Sequence, residues 1–408
     1  MKQIVLFLSA IVLLSSCQSK KMSDEEFKEK ALELIAEMQA KNEEHNQKIQ
    51  ALYGFSKETM QVINWYELND QRYDEYFQYA QNFQEVNSMV HLKILGAKDA
   101  ETVDALQINL PENEWSLFQE SGYLSKFQNL KYLKIGNVSQ LPADIGDLPN
   151  LEILELSYVY DLQSLPVEIS KLKNLEHFAL KGLNKVKSLP AGIYNLKKLK
   201  SFILTGAHYD LVLDENISKW SNLRVFTADC VVSSAIGQLK KLNYVKLDAY
   251  TDSIPYQAIY SLPLLKTLGV VVNNESQLKG IGKLQGLELL HLYSSSINDE
   301  VASLGNLKGL IISGYNNPEY PSSLGKLLKL EALKIGQNNG MKVAPAFIPN
   351  LPNLAYLEIR GCGSLESFPD SYGKMKNLKL GEIFYNEKIT SIPDELFPIQ
   401  EAIKIENL

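Results

Sequence analysis

The chain has 408 residues, of which 45% are hydrophobic and 22% are charged, a composition that excludes a disordered chain. Its net charge of −7 is uneven, since residues 18–126 carry 20 acidic and 11 basic side chains, whereas residues 127–408 carry 28 and 29. Neither part shows the basic stripe that a phosphate backbone requires, so we expect no nucleic-acid partner.

The start of the chain has the pattern of a lipoprotein signal peptide. Lys2 gives a charged start, residues 4–14 are apolar, and Leu14-Ser15-Ser16-Cys17 follows. The apolar run is too short to span a bilayer. Residues 14–17 resemble the bacterial lipobox. This resemblance implies that residues 1–16 are removed and that Cys17 is lipidated. Lipid on Cys17 would then be the membrane anchor. The alternative is an ordinary signal peptide in which this cysteine is incidental.

Residues 17–22 are predicted to be a lipidated tether, and residues 23–88 a helical spacer and cap. The spacer opens with the capping-box pattern Ser23-Asp24-Glu25-Glu26, and apolar residues then recur at helical spacing. Two more helices are predicted behind it, the last with an aromatic face that would cover the open end of the following array. The acidic cluster also resembles signals that send some Bacteroidetes lipoproteins to the cell surface, although a helix cap is sufficient to explain it.

Residues 89–398 repeat one apolar frame. In residues 351–369 it reads Leu354-x-x-Leu357-x-Ile359, with Cys362 and the pair Phe368-Pro369 behind it. Twelve regular repeats begin at Leu130, Leu151, Leu175, Leu199, Leu223, Leu242, Leu265, Leu287, Leu307, Leu330, Leu354 and Leu378. A fixed period in the range of about 20–30 residues predicts a solenoid of stacked coils.

The frame explains how such coils would stack. In x-L-x-L the two apolar side chains point to one side of a short strand, and parallel stacking buries them in one continuous core. A proline recurs late in eight repeats, from Pro142 to Pro393, and suits the first position of a helical turn on the outer side. Two degenerate repeats, beginning at Met89 and Val103, are predicted to precede the regular ones.

The repeats resemble the leucine-rich repeat family over residues 89–398, and are similar to those of plant immune receptors and related bacterial proteins. With the lipobox, the chain resembles Bacteroidetes leucine-rich repeat lipoproteins. The resemblance implies an α/β fold, a leucine-rich repeat solenoid (horseshoe) with an N-terminal α-helical segment, and leaves residues 399–408 as an end segment. Most coils lack the asparagine of the ninth repeat position, so its hydrogen-bonded ladder should be largely absent.

The resemblance also implies that exposed strand residues line a concave surface that binds partners. By position these residues are Tyr132, Lys134, Glu155, His177, Lys181, Asp229, Tyr244, Lys246, Asp248, His291, Tyr293, Tyr356, Glu358 and Arg360. Two groups are candidates for partner binding because tyrosine and arginine are enriched at hot spots: Tyr244, Lys246, His291 and Tyr293, and then Tyr356, Glu358 and Arg360. The alternative is that they are solvated strand residues, since tyrosine also favours strands.

Two short repeats, which begin at Leu223 and Leu287, predict a change of curvature. We therefore hypothesise that the segment between them forms a distinct binding surface that includes Tyr244. Cys230 and Cys362 lie six coils apart, roughly 29 Å at strand spacing, which is too far for a disulfide. Cys362 occupies a core position and is predicted to be a small buried hydrophobe.

Catalytic and metal-binding patterns are absent from the sequence. The histidines show no metal-ligand spacing, and no nucleophile elbow, phosphate loop or zinc-helix motif is present. Glu155, Glu358 and Glu382 are scattered rather than paired as glycoside hydrolysis requires. We therefore predict a protein that is not an enzyme, with no cofactor and no metal.

The functional prediction is a lipid-anchored cell-envelope protein that recognises a macromolecular partner, a protein or a glycan, on the concave face. The predicted location is the outer membrane of a Gram-negative bacterium, with the solenoid facing the cell surface and the chain a monomer. Two alternatives stay open. One is a periplasm-facing envelope scaffold, and the other is a carbohydrate-capture component of a nutrient-uptake system that uses Tyr244, Tyr293 and Tyr356 as aromatic platforms.

Overall fold

The computed structural model describes residues 84–249, 254–389 and 405–406. The predicted signal peptide, the lipidation of Cys17, the tether and almost all of the helical spacer lie outside the described residues, as does most of the end segment after residue 398. Among the described residues, none of the helices combines the length and the hydropathy that crossing a bilayer requires.

The described chain is built on one long parallel sheet of fifteen strands, in which each strand pairs with its neighbours in chain order apart from two short strands set aside in a second sheet. The strands of the long sheet are β1 Gln84–Val86, β2 Ala105–Ile108, β3 Tyr132–Gly136, β4 Ile153–Ser157, β5 His177–Lys181, β6 Ser201–Thr205, β8 Val225–Ala228, β10 Tyr244–Leu247, β11 Thr267–Val272, β12 Leu289–Ser294, β13 Gly309–Ser313, β14 Ala332–Gly336, β15 Tyr356–Arg360, β16 Leu380–Phe384 and β17 Ile405–Glu406. The second sheet pairs β7 Val212–Leu213 with β9 Val231–Val232.

Short helical segments occupy the side of each coil opposite the sheet. The α-helices are α1 Met89–Lys98, α2 Trp115–Gln119 and α3 Tyr256–Ile259. The 3-10 helices are Ala100–Thr102, Glu112–Glu114, Leu124–Lys126, Ala143–Asp147, Val167–Lys171, Ala191–Asn195, Glu215–Lys219, Ser234–Gln238, Glu275–Leu278, Ile281–Lys283, Asp299–Ser303, Ser322–Lys326, Ile348–Asn350 and Asp370–Lys374. Sheet and helical turns enclose a single apolar core.

The repeat frame produces this core as the sequence predicts. Leu154, Phe178, Phe202 and Phe226 stand opposite one another on β4, β5, β6 and β8, and all four are fully buried. The ring centroid of Phe202 lies 6.0 Å from those of Phe178 and Phe226, and 4.7 Å from that of Trp220. The larger rings replace leucine in three successive coils, and each buried ring contributes roughly 2–3 kcal/mol of transfer free energy.

The recurring prolines stand one position earlier than the sequence indicates. Pro142, Pro166 and Pro190 are the N-cap residues of their 3-10 helices rather than the first helical residues, with φ between −72° and −56°. Proline suits the N-cap position because a residue there makes no intrahelical hydrogen bond through its own N–H, the group that proline lacks. The apolar residue that follows is buried as predicted, for example Ile145 and Ile169.

An asparagine ladder, which the sequence-based predictions missed, joins the coils at the amino ends of the strands. The asparagine directly before the first leucine of a repeat donates its Nδ2–H to the backbone carbonyl that lies two residues before the first leucine of the preceding coil. For Asn150 the acceptor is Gln128 O at 2.9 Å, and for Asn222 it is Lys197 O at 2.8 Å. The same bond is made by Asn174, Asn306, Asn353 and Asn377. The signal in the sequence is the recurring Asn-Leu pair.

The ninth-position asparagine occurs as well, in the coils that begin at Leu330 and Leu378. Asn338 and Asn386 are buried there, and their Nδ2 atoms donate to Asn317 O and Ile359 O, both at 3.0 Å. Asn386 also accepts a hydrogen bond from the backbone N–H of Cys362 at 2.8 Å. Each amide thereby satisfies backbone groups inside the turn that leaves the strand.

The predicted opening repeat at Met89 is wrong, whereas the one at Val103 forms β2. Met89–Lys98 is helix α1, and the strand that precedes it is β1. The Ser88 side chain caps the helix by accepting from His91 N at 3.2 Å. Met89, Leu92 and Leu95 are buried at a spacing of three, so the L-x-x-L pattern here is helical.

The two cysteines of the described chain are unbonded and buried, six sheet neighbours apart. Cys362 is fully buried, as its core position predicts, and Cys230 is 5% exposed. Burial raises the pKa of Cys230 to about 12 and that of Cys362 to about 11, so both thiols stay protonated at neutral pH.

Candidate functional site

The face of the sheet that points away from the core, which we call the concave face, carries three rows of side chains. The first row includes Tyr132, His177, Tyr244 and Tyr356, and the second includes Glu155, Lys246, His291 and Glu358. The third row includes Tyr293 and Arg360. The strand register therefore places every predicted partner-binding residue on this face.

Glu155 is the hub of a polar network at the amino-terminal end of the concave face. Its carboxylate accepts hydrogen bonds from Tyr132 Oη at 3.1 Å and from Ser157 Oγ at 2.7 Å. The ammonium of Lys181 lies 3.3 Å away and that of Lys134 3.7 Å away. Four side chains thus converge on one carboxylate.

The electrostatics of this hub hold Glu155 ionised. Burial alone would raise the pKa of the carboxyl group, but Lys181, Lys134 and the Ser157 hydroxyl together lower it below its ordinary value. Glu155 is 8% exposed, whereas the side chains of Lys134 and Lys181 are 35% and 24% exposed. Solvent and any bound partner therefore meet two lysines whose positions a buried carboxylate fixes.

Tyr356 is the centre of a second network near the other end of the face. Its phenol oxygen lies 2.8 Å from Glu358 Oε2 and 2.6 Å from Glu382 Oε2. Lys334 Nζ lies 2.8 Å from the same Glu358 oxygen and 5.9 Å from the centre of the Tyr356 ring. Burial and the two neighbouring carboxylates raise the pKa of Tyr356 well above its ordinary value, so the phenol keeps its proton.

Between the two networks the concave face carries His177, Lys246 and His291. Lys246 Nζ is paired with Asp248 Oδ2 at 2.8 Å. Burial lowers the pKa of His291 to about 3, with further lowering by Lys246 and Lys334, and burial together with Lys200 lowers the pKa of His177 to about 3. Both imidazoles are neutral at physiological pH.

Most of the predicted binding residues are not exposed, contrary to the expectation from the sequence. Glu155, His177, Tyr244, Lys246, His291, Tyr356 and Glu358 are all buried. The physical reason is crowding: strands only about 4.8 Å apart set long side chains side by side, and each covers the next. Tyr132 and Arg360 are half-buried, and Tyr293 is 36% exposed. The rings of Tyr244 and Tyr356 therefore cannot serve as sugar platforms in this structure.

The first predicted group lies on two strands that are not adjacent, whereas the second lies on one strand, β15. Tyr244 and Lys246 lie on β10, and His291 and Tyr293 lie two strands away on β12, with Gly269 of β11 between Lys246 and His291. In the second group Tyr356 bonds Glu358, while the guanidinium of Arg360 lies 5.1 Å from the ring centre of Tyr385.

Comparison with known proteins agrees with the repeat architecture. Residues 105–235 match the family model described as a leucine-rich repeat region. The chain folds as a leucine-rich repeat solenoid. Part of it, 179 residues or 43% of the chain, is 25% identical to the Arabidopsis thaliana protein SUPPRESSOR OF npr1-1, CONSTITUTIVE 1, of which it spans only 12%.

The chain is also similar to two solved structures. A leucine-rich repeat protein of Leptospira interrogans matches 79% of this chain and 100% of its own, with 19% identity and a TM-score of 0.44. TLR13, in its complex with ssRNA13, matches 77% of this chain and 52% of its own, with 17% identity and a TM-score of 0.53. At such identities the likeness extends to the fold alone.

Beside the concave face, the solenoid has an edge lined with exposed tyrosines, of which the sequence-based predictions singled out Tyr293 alone. Tyr158, Tyr160, Tyr209, Tyr293 and Tyr385 lie at or after the carboxyl end of their strands, and we call this row the aromatic edge. Tyr209 is 83% exposed and Tyr158 62%. The rings of Tyr158 and Tyr160 have their centres 6.4 Å apart.

The backbone at this edge explains why some of these tyrosines are unusual. The residue at the eighth repeat position takes a left-handed conformation in eight coils: Asn137, Tyr158, Gly182, Gly206, Gly314, Gln337, Gly361 and Tyr385. Glycine and asparagine tolerate this conformation, and a tyrosine there is uncommon. Gly182 also makes room for a ring, since a Cβ at that position would lie 2.8 Å from Cε1 of Tyr160.

Proposed function

We propose that this protein is a lipid-anchored, non-enzymatic envelope protein that binds a protein partner along the aromatic edge and the adjoining concave face. One observation carries the proposal. Tyr158 keeps a left-handed backbone, with φ of 59°, and yet leaves its ring 62% exposed. A strained, solvent-exposed aromatic side chain gains little for folding, and such positions cluster at functional sites.

The chemistry around Tyr158 suits a protein partner. Tyrosine and arginine are enriched at the energetic centres of interfaces, and tyrosine buries a large area at a small cost in conformational entropy. The ring of Tyr160 lies 6.4 Å from that of Tyr158, and Asp161, the next residue along the chain, forms an exposed ion pair with Lys185. An aromatic centre with a polar rim is the usual anatomy of a protein interface.

The ordered charges of the concave face support the same proposal. Glu155 fixes Lys134 and Lys181, and the guanidinium of Arg360 lies against the ring of Tyr385. A partner therefore meets pre-ordered charges, and less conformational entropy is lost on binding. The lipid anchor rests on the resemblance of residues 14–17 to a lipobox. It supports a location in the outer membrane, at the cell surface or facing the periplasm as a scaffold.

Site-specific photo-crosslinking in intact cells tests the binding face. A photoreactive phenylalanine analogue at Tyr158 or Tyr209 should capture a discrete protein partner. Val167 is the matched control, since it is 66% exposed but lies on a 3-10 helix on the opposite side of the coil. Equal capture from Val167, or none from the two tyrosine positions, would contradict the proposed face.

The anchor and the orientation need separate measurements. Metabolic labelling with a fatty acid should mark the protein, and Cys17→Ser should abolish the label. Protease added to intact cells should digest the solenoid if it faces outward, with a periplasmic protein as the protected control. Protection until lysis would replace the surface location by the periplasmic scaffold.

A further inference from the structure

One edge of the solenoid is strongly basic although the chain as a whole is acidic. We call it the basic edge and define it by four positions in each of the twelve repeats: the fourth, second and first residues before the first leucine, and the residue after it. These positions hold 19 of the 41 lysines and arginines of the chain but only 5 of its 48 acidic residues. The edge therefore carries a net charge of +14 in a chain of net charge −7.

The structure places these positions together. They form the turn between each 3-10 helix and the strand that follows, at the amino ends of the strands, so successive coils stack them into a row. Lys197, Lys198, Lys240 and Lys241 are all exposed there. Coils about 4.8 Å apart bring these cations within one Debye length, so their fields add.

Three of the five carboxylates on this edge, those of Asp147, Glu176 and Glu288, form ion pairs with its own lysines. Asp147 Oδ1 lies 3.6 Å from Lys171 Nζ, and Glu288 Oε1 lies 2.7 Å from Lys266 Nζ. In the described chain, Lys197, Lys198, Lys240 and Lys241 form no ion pair. The centre of the basic edge is thus left with uncompensated positive charge.

The asparagine ladder holds some of these ammonium groups in place without neutralising them. Lys198 donates to Asn174 Oδ1 at 2.7 Å, and Lys241 donates to Asn222 Oδ1 at 2.6 Å. Each asparagine is itself fixed by its bond to the preceding coil. An ammonium group with one neutral acceptor keeps two N–H donors for an external anion.

Exposed leucines lie among the lysines of the same edge. Leu264 is 55% exposed and Leu328 is 57% exposed, and both stand at turn positions of their repeats. The exposed tyrosines of the aromatic edge lie instead at the other ends of the strands. Single-stranded nucleic acid is held by aromatic stacking as well as by charge, whereas an interfacial lipid site combines cations with aliphatic side chains.

We propose that the basic edge rests on an anionic lipid surface, with its lysines at the phosphate headgroups and the two leucines in the headgroup region. The proposal builds on the lipid anchor of the proposed function: the anchor keeps the chain at a membrane, and a polybasic surface adds attraction to anionic headgroups. Docking by this edge turns the aromatic edge, at the opposite ends of the strands, away from the membrane towards a partner.

Vesicle sedimentation tests the edge independently of the lipid. The mature chain from residue 17 carries Cys17→Ser, so that charge and not acylation brings it to the membrane. We expect binding to phosphatidylcholine vesicles that contain about one third phosphatidylglycerol at about 0.05 M salt, none to pure phosphatidylcholine, and release at about 0.5 M salt. The variant Lys197→Glu, Lys198→Glu, Lys240→Glu, Lys241→Glu should bind at least about tenfold more weakly.

The matched control changes four lysines that are exposed elsewhere: Lys98→Glu, Lys279→Glu, Lys342→Glu and Lys388→Glu. It alters net charge equally and should retain most of the binding. Circular dichroism and thermal unfolding show that both variants are folded, and Leu264→Ser with Leu328→Ser provides a charge-neutral second variant that should weaken binding severalfold.

Three results would overturn the proposal: no preference for the anionic vesicles, an equal loss in the control variant, or binding to a single-stranded oligonucleotide that is as tight as to vesicles and lost in the same four-lysine variant. The last result would assign the edge to nucleic acid. Loss of fatty-acid labelling in cells, by contrast, would remove the anchor while the vesicle result stood.

Discussion

Tyr356 and Glu382 lie on adjacent strands and are joined by a hydrogen bond of 2.6 Å between the phenol oxygen and Oε2. The same phenol oxygen lies 2.8 Å from Glu358 Oε2. A phenol has one proton to donate, so it can serve only one of the two carboxylates while both are ionised. Lys334 Nζ lies 2.8 Å from Glu358 Oε2, and its positive charge stabilises the two neighbouring carboxylates.

Removal of the Tyr356 hydroxyl should therefore cost more than an ordinary hydrogen bond. Tyr356→Phe leaves the buried carboxylate of Glu358 and the half-buried carboxylate of Glu382 without their shared donor, and we expect a loss of roughly 1–3 kcal/mol in the free energy of unfolding at pH 8.

Urea unfolding at pH 8 measures this loss. Tyr132→Phe is the matched control, since Tyr132 bonds a carboxylate at 3.1 Å that Ser157 and Lys181 also serve. A cost for Tyr356→Phe no larger than that of the control would remove the special role of the pair.

The buried histidines predict an acid-sensitive fold. The pKa of His177 and of His291 is lowered to about 3 in the folded chain, whereas the unfolded imidazole has a pKa of about 6.5. Between these values the unfolded state binds protons that the folded state excludes, so stability is full above about pH 6.5 and is lost as the pH falls towards 3. Each histidine should lower the free energy of unfolding by about 2 kcal/mol as the pH falls from 7 to 5.

Replacing either histidine by glutamine should flatten this dependence. We expect His177→Gln and His291→Gln each to remove about 2 kcal/mol of the loss between pH 7 and pH 5, measured by urea unfolding. His91→Gln serves as the control, because His91 is exposed on α1. An unchanged pH dependence in both variants would show that the imidazoles are protonated inside the fold.

The sequence predicts the strands well because burial of the repeat frame depends on local alternation. Leu133 and Ile135 are fully buried as that alternation requires. Helix α1 is not predicted because Met89-x-x-Leu92 fits the opening of a repeat as well as a helical face. The Ser88 cap, which decides between them, is a weaker signal than the leucines.

The candidate sites are harder to predict because they depend on contacts between coils. Tyr356 reaches Glu382, 26 residues later, and this contact removes from solvent a ring that the strand pattern alone predicts to be exposed. The basic edge is likewise hidden in the sequence. Its lysines and its arginine are spread over ten of the twelve repeats, and residues 127–408 as a whole are balanced at 28 acidic and 29 basic side chains. The premise that the chain has no basic stripe is therefore wrong for the folded surface.

The asparagine ladder should contribute measurably to stability. Asn150→Ala removes a hydrogen bond of 2.9 Å to Gln128 O, and we expect the free energy of unfolding to fall by about 1 kcal/mol. The coil that begins at Leu287 has Gly286 at this position, where a Cβ would lie 3.8 Å from Leu265 O, an ordinary van der Waals contact. Gly286→Asn should add the missing bond, and Gly286→Ala is the control for the loss of glycine flexibility.

Thermal unfolding of these three variants gives the comparison. Gly286→Asn should exceed Gly286→Ala in the free energy of unfolding by roughly 0.5–1.5 kcal/mol, the contribution of one hydrogen bond. If the two variants at residue 286 were equally stable, the ladder would be a consequence of stacking rather than a contributor to it.

Tyr158 should show a conflict between stability and binding. Asn137 holds the same left-handed position one coil earlier, so Tyr158→Asn relieves backbone strain and should raise the free energy of unfolding by about 1 kcal/mol. It also removes the exposed ring and should weaken photo-crosslinking from the neighbouring position Tyr209. Tyr158→Phe retains both the ring and the strain, and should leave stability and capture close to those of the parent. A Tyr158→Asn variant that is more stable and still captures the partner fully would show that the strained tyrosine does not serve binding.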